Sequence, residues 1–230
     1  MPLREALSFF IPMRALFKVC FLPVLALGLW CAPPLTARAQ SSSFDFYVLA
    51  LSWSPGFCAL EGEAKGRAQC APGARTGFVV HGLWPQAGAD SAIDCPAGQR
   101  PIPRASLDVA RDLFPDEGLA RYQWRKHGGC SGLPPSAWFD DVRRARAAIV
   151  LPPDLTAQRE DARIEPEDIL RRFRATNPRL RPGMAAVSCP REIFQEIRIC
   201  MSRDLRDFVP CPQVVRQSCR ARSISVRAPT

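Results

Sequence analysis

Between residues 44 and 53 almost every position is apolar. Phe44, Phe46, Val48 and Ala50 share one parity, and Tyr47, Leu49, Leu51 and Trp53 share the other. A strand with two apolar faces is buried on both sides, so this run predicts a central strand. Ser54-Pro55-Gly56 ends it. Cys58 to Gly73 is small, polar and glycine-rich, and reads as a loop. Thr76 to His81 predicts a second strand, β-branched at Val79 and Val80. Gly82 is expected to end it and leave His81 at its tip. Trp84 precedes Pro85 and is thereby held extended. Gln86 to Pro103 reads as loop.

The middle of the chain changes period. Ser106 to Phe114 predicts a short helix with Ser106 as its cap. Leu119 to His127 fits a helix that Gly128-Gly129 stops. From Ala137 to Val150, Trp138, Val142, Ala145 and Ile149 recur at helical spacing, while Arg143, Arg144 and Arg146 form a solvated face. Glu165-Pro166-Glu167 opens another helix, acidic at its head and basic at its tail (Arg171, Arg172, Arg174), as the macrodipole favours. Pro178 stops it. Met184 to Ser188, Ile193 to Cys200 and Phe208 to Cys211 then read as strands of an antiparallel set. No repeat, low-complexity tract or linker divides this region. The expected architecture is one α+β domain over residues 40–230, a central antiparallel sheet flanked by helices and stapled by disulfides.

The first 39 residues break the pattern and read as an export signal to be removed. Arg4, Arg14 and Lys18 supply a positive start. Val19 to Trp30 is an apolar run too short to span a bilayer, and Ala37-Arg38-Ala39 is a cleavage site. Met13 can also serve as the start of such a signal, and an uncleaved anchor is the competing reading. Export changes how the cysteines are read. Cys20 and Cys31 leave with the signal, and Cys58, Cys70, Cys95, Cys130, Cys189, Cys200, Cys211 and Cys219 remain. An even count in an exported chain implies disulfides, with many connectivities open. A Cys58–Cys70 bridge would pin the first loop. Cys200 and Cys211 could staple one hairpin, with Cys189 and Cys219 closing a loop outside it. No C-x-x-C pair appears, and both histidines lie far from any close cysteine pair, so no metal site is expected.

The formal charge is +9. The first 39 residues contribute +3 of it, leaving +6. That balance suits a polyanionic partner and also serves solubility. Beyond residue 39 the only lysines are Lys65 and Lys126. The second sits beside His127, where a compact ammonium has a use that guanidinium lacks. The single asparagine, Asn177, precedes a proline, so there is no glycosylation sequon. This, with the arginine- and alanine-rich composition, leans towards a bacterial protein that is periplasmic or secreted.

The chain has two histidines, each set beside a tryptophan and glycines. In a helix over Leu119 to His127, Tyr122, Gln123, Lys126 and His127 gather on one face by i,i+3 and i,i+4 spacing. A hydroxyl, an amide, an ammonium and an imidazole make a hydrogen-bonding, positively charged site for an anion. Trp124 points elsewhere, into the core. A second imidazole from His81 would complete an acid–base pair that titrates near neutrality. That pair suits attack of a ribose 2′-hydroxyl on its own 3′-phosphate. Taken singly, a histidine is more often structural or merely exposed, and a tryptophan such as Trp84 more often a core residue than a stacking platform.

Phe78-Val79-Val80-His81-Gly82-Leu83-Trp84-Pro85 resembles the first active-site segment of the ribonuclease T2 family. Trp124-Arg125-Lys126-His127-Gly128-Gly129-Cys130 resembles the second. Phe46 to Pro55 and the cysteine-rich end extend the likeness over nearly the whole mature chain. The resemblance implies an α+β fold and metal-free endonucleolytic cleavage of single-stranded RNA through 2′,3′-cyclic phosphates, without a cofactor, by a monomer free of the membrane. It implies His81 as general acid and His127 as general base. Lys126 would stabilise the pentacovalent phosphate, and Trp84, Tyr122 and Gln123 would hold substrate. It also implies the pairs Cys95–Cys130, Cys189–Cys219, Cys200–Cys211 and Cys58–Cys70. Two positions depart. The family commonly has histidine and glutamate where this chain has Tyr122 and Gln123. Losing that carboxylate is expected to lower the pKa of His127. The alternative reading is a catalytically weakened relative that binds RNA or a protein partner.

Overall fold

The computed structural model describes residues 44–74, 76–88 and 101–229. The expected export signal, Cys95 and most of the loop around it lie outside the described residues. Along the chain come strand β1 (Phe46–Trp53), a short helix α1 (Ser54–Phe57), β2 (Phe78–Gln86), and helices α2 (Arg104–Ala110), α3 (Glu117–Lys126), α4 (Pro135–Ala147) and α5 (Pro153–Thr156). These are followed by β3 (Ala162–Ile164), α6 (Pro166–Thr176), β4 (Ala185–Ser188), β5 (Glu196–Ser202), α7 (Pro212–Val215) and β6 (Ile224–Val226).

Every residue of β1 is buried, because the strand is covered on both faces and paired on both edges. The sheet is antiparallel, in the order β2-β1-β5-β4. Its two faces are unequal. Tyr47, Leu49, Leu51 and Trp53 of β1 join Leu83, Val187, Ile197 and Ile199 in the large core. Trp138, Phe139, Val142 and Ala145 of α4 and Ile169 and Phe173 of α6 close that core from above. The opposite face carries only a small cluster, Phe46, Val48, Ala186, Cys200, Cys211 and Val214, with Trp84 against it. The rest of that face is open for polar side chains.

Local chemistry sets the element ends. Asp116 starts α3, its side chain accepting from the Leu119 amide at 2.7 Å. The helix therefore begins before the expected Leu119. Pro166 opens α6 at its first turn, and Asn177 closes it. The Asn177 side chain donates to the Phe173 and Val150 carbonyls, both at 2.8 Å, and accepts from the Val150 amide. This buried amide ties the end of α6 to the segment after α4.

Several expectations are corrected. Gly82 does not end the second strand, which continues to Gln86. Pro85 is tolerated because β2 is an edge strand, where a missing ladder donor costs little. Ser106 does not cap α2. Pro103 holds the cap position, and the helix starts at Arg104. Cys58 to Gly73 is not plain loop but winds into turns over Cys58–Gly62 and Ala68–Cys70. Phe208 makes one bridge to Met201 in place of a strand. The pair β3–β6 was not anticipated, since three-residue strands are too short to show alternation.

The described disulfides are Cys58–Cys70, Cys189–Cys219 and Cys200–Cys211. Cys130 is also disulfide-bonded. The last two pairs are nested and hold the arm that carries α7 against β4 and β5. Leu49 is fully buried at the centre of the large core. Leu49→Ala is expected to lower stability by about 2–5 kcal/mol, read by urea unfolding of the oxidised protein. A loss below about 1 kcal/mol would contradict this packing.

Candidate active site

Two strands and one helix end supply the site. β2 enters with an irregularity: Ala50 pairs with Gly82, but Leu51 pairs with Val80. His81 is the extra residue, a one-residue bulge. In a regular strand His81 would share a face with Leu83, which lies in the core. The bulge turns it instead to the face that carries Trp84. Immediately after it, Gly82 permits a close approach. A Cβ there would sit 2.2 Å from Gln123 Oε1 and 2.3 Å from Trp84 Nε1. With no side chain in the way, Trp84 Nε1 donates to Gln123 Oε1 at 2.8 Å. This bond joins β2 to α3.

At the other end of α3 the chain leaves the helix at His127, whose amide still bonds the Gln123 carbonyl at 2.9 Å. Gly128 follows because Trp124 and Trp138 crowd that position; a Cβ would meet Trp124 Cε3 at 2.4 Å. Trp124 is in the core, as its spacing predicts. The four side chains expected on one helical face do meet. Tyr122, Gln123, Lys126 and His127 line one cleft of about 460 Å³ together with His81 and Trp84. They divide by exposure. Gln123 and His127 are buried, whereas Tyr122 and Lys126 stand at the surface. The Lys126 ammonium lies 5.7 Å from the centre of the Tyr122 ring.

Both imidazoles pack on the same indole. The His81 ring meets Trp84 edge-on at 5.2 Å between centroids, and the His127 ring lies 5.4 Å from it at a 37° tilt. Their electrostatic settings differ. Burial pushes the His127 pKa down to about 4, and the nearby Lys126 and His81 charges add to the effect. His127 therefore stays neutral down to about pH 4. His81 is half-buried, and its Nδ1 bonds Glu196 Oε2 at 2.5 Å. Among the described residues no three His, Cys, Asp or Glu side chains converge as a metal site.

A family model described as the ribonuclease T2 family matches residues 44–211. The chain belongs to the ribonuclease T2 family. A ribonuclease of Aeromonas hydrophila is 38% identical over 116 residues, covering 50% of this chain and 51% of that protein. Ribonuclease I of Escherichia coli is 32% identical over 174 residues, covering 59% of this chain and 63% of its own length. The alignments thus span half to two thirds of these relatives. Among solved structures, an RNase-related protein from Calystegia sepium superposes with a TM-score of 0.64 at 18% identity, over 82% of this chain and 99% of that one. RNase NT in complex with 5′-AMP gives 0.62 at 17% identity, over 81% and 98%. At those identities the likeness is one of fold.

Within this family fold the structure adds two residues that sequence reasoning missed, Glu196 and Arg198 of β5. Glu196 is buried and accepts from both His81 and the Arg198 Nε, the latter at 2.8 Å. Burial alone would raise its pKa; the His81 and Arg198 contacts outweigh that and hold it below the usual carboxylate value. The Arg198 guanidinium lies 5.6 Å from the Trp84 ring centre. It lines both the main cleft and a second one of about 390 Å³, and the two also share His81 and Tyr122. A signal was present: Ile197 and Ile199 alternate with Glu196 and Arg198, so the charged parity had to face something polar.

Gly82→Ala is expected to force Gln123 and Trp84 apart and cost about 1–3 kcal/mol of stability, measured by urea unfolding. Wild-type stability with an unchanged indole N–H resonance would show that the neighbours accommodate a methyl group.

Proposed function

We propose that the chain is a metal-independent endoribonuclease that cleaves single-stranded RNA through 2′,3′-cyclic phosphates. One observation carries this reading: two imidazoles in one cleft share a tryptophan, one held neutral by burial and the other tied to a carboxylate. A neutral imidazole accepts a proton, and a protonated one gives it. His127 takes the proton of the ribose 2′-hydroxyl as O2′ attacks the adjacent phosphorus. His81 protonates the leaving 5′ oxygen as the P–O5′ bond breaks. Lys126, exposed at the cleft, balances the charge gathering on the phosphorane oxygens. Trp84 gives a flat apolar wall against which substrate packs, and Tyr122 offers a hydroxyl at the rim. Gln123, buried and bonded to Trp84, presents its amide to the cleft from behind. The 5′-AMP bound by RNase NT and the basic balance of this chain fit a nucleotide polyanion as substrate.

The disulfides suit an oxidising compartment, which supports export to the periplasm or medium after removal of residues 1–39. No helix among the described residues is long and apolar enough to cross a membrane. The mature chain, residues 40–230, acts as a monomer in this proposal.

Incubating the oxidised protein with RNA in EDTA tests the reading directly. Cleavage that resists EDTA, yields cyclic phosphates and falls at least about 100-fold in His127→Ala is the expected result. RNA binding without cleavage would instead favour a catalytically weakened binding protein, and loss of activity in EDTA a metal enzyme. Lys126→Ala is expected to lower kcat more than it raises KM, since the charge it answers develops in the transition state.

The pH profile gives a separate check. His127 works only when neutral, so kcat/KM should fall as pH drops through about 4. Gln123→Glu adds a carboxylate beside the site, favours the protonated ring and should move this acidic limb upward. An unmoved limb would exclude either His127 as the base or Gln123 as its electrostatic neighbour.

A further inference from the structure

Glu196 is a costly residue to bury. Its side chain is 5% exposed, and a carboxylate in such a place must be fully compensated or the strand will not form. The compensation is specific. Oε2 meets His81 Nδ1 and Oε1 meets Arg198 Nε. The two partners approach from different places. His81 is on β2 and Glu196 is on β5, with β1 between them, so their backbones are roughly 10 Å apart. The side chains reach each other because the intervening residues of β1 are small: Ser52 is in register with Glu196, and Ala50 with Arg198 and Gly82. A bulge on one strand, two small residues on the next and a buried acid on the third all serve one contact.

We infer that Glu196 is the positioning residue of His81, holding the Nδ1 proton so that the Nε2 proton is the one delivered to the leaving oxygen. The inference rests on His81 acting as the general acid. An ionised carboxylate only accepts, so the nitrogen facing it must carry hydrogen. As the P–O5′ bond breaks, its electron pair departs with O5′, which takes the proton from Nε2. The ring is left neutral with its remaining proton on Nδ1, still donated to Glu196. It keeps its orientation through the step and does not flip or change tautomer. Arg198 keeps the second carboxylate oxygen occupied, which prevents Glu196 from turning away.

A general acid matters only when the leaving group needs a proton, and this separates positioning from mere structure. The oxidised full-length mature enzyme is assayed on a dinucleoside phosphate and on the 4-nitrophenyl ester of the same nucleoside 3′-phosphate. Glu196→Gln is expected to lower kcat on the dinucleotide by about tenfold or more and to leave ester turnover within about twofold. The retained ester activity also shows that the variant is folded. His81→Ala, run alongside, should show the same selectivity in stronger form. Equal losses on both substrates in Glu196→Gln, or no loss on either, would overturn the role of Glu196. If His81→Ala itself slows both substrates equally, the assignment of His81 as the acid falls, and the inference with it. Nitrogen-15 NMR of the neutral His81 ring is a second readout. The Nδ1–H form should dominate in the wild type and lose its dominance in Glu196→Gln/Arg198→Met, which removes the buried carboxylate charge together with its half-buried partner. Dominance of Nε2–H in the wild type would overturn the inference.

Discussion

His81 and Trp84 lie three residues apart on β2, and strict alternation would send them to opposite faces of the sheet. The bulge opposite Ala50 and Leu51 removes that conflict. It keeps Val80 and Leu83 in the core while turning His81 onto the face of Trp84. Everything in the cleft depends on this one extra residue. Without it the imidazole would point into a packed apolar layer, Glu196 would keep Arg198 as a partner but lose His81, and Trp84 would pack on one histidine instead of two. Gly82 completes the device. Bare of a side chain, it lets the indole and the Gln123 amide close over the strand, and that hydrogen bond ties β2 to α3 just before His127.

The inequality of the two faces follows from the same economy of space. The apolar stripes of amphipathic helices cover one side of the sheet and close the large core there. The other side has a small cluster under the α7 arm, held down by the nested Cys189–Cys219 and Cys200–Cys211 bridges. Covalent staples replace a second large core there. The strand positions so released carry Glu196, Arg198, His81 and Trp84. The two histidines are then given opposite surroundings. His127 is buried beside a cation and driven neutral. His81 is set on a carboxylate that is itself anchored by arginine. In the proposed mechanism one residue type thus serves two roles through environment alone.

Much of this was legible in the chain. The doubly apolar run of β1, the amphipathic stripe of α4 and the proline-led start of α6 are local patterns, and each element formed close to where its pattern lies. The gathering of Tyr122, Gln123, Lys126 and His127 followed from helical spacing. Their division into buried and exposed pairs did not, because it depends on what β2 and β5 lay against them. Strand ends fared worse. Gly82 and Pro85 look like breakers in isolation, and only the edge position of β2 and the partner strand β1 explain why neither breaks it. Glu196 and Arg198 went unnoticed because charges at alternate positions of a strand ordinarily face water.

The sequence by itself determined the longer elements, the two histidine segments and the family, since these rest on periodicity and on short motifs whose spacing is local. Tertiary structure alone decided which face His81 takes, what holds it there and that burial lowers the His127 pKa. Those properties come from a register shift between β1 and β2, from residues more than a hundred positions apart meeting across β1, and from desolvation that exists only once the core has closed. Gly82 hints at an irregularity in β2, but where the extra residue falls is decided only by pairing with β1, and a pKa shift appears only once the surrounding water is gone.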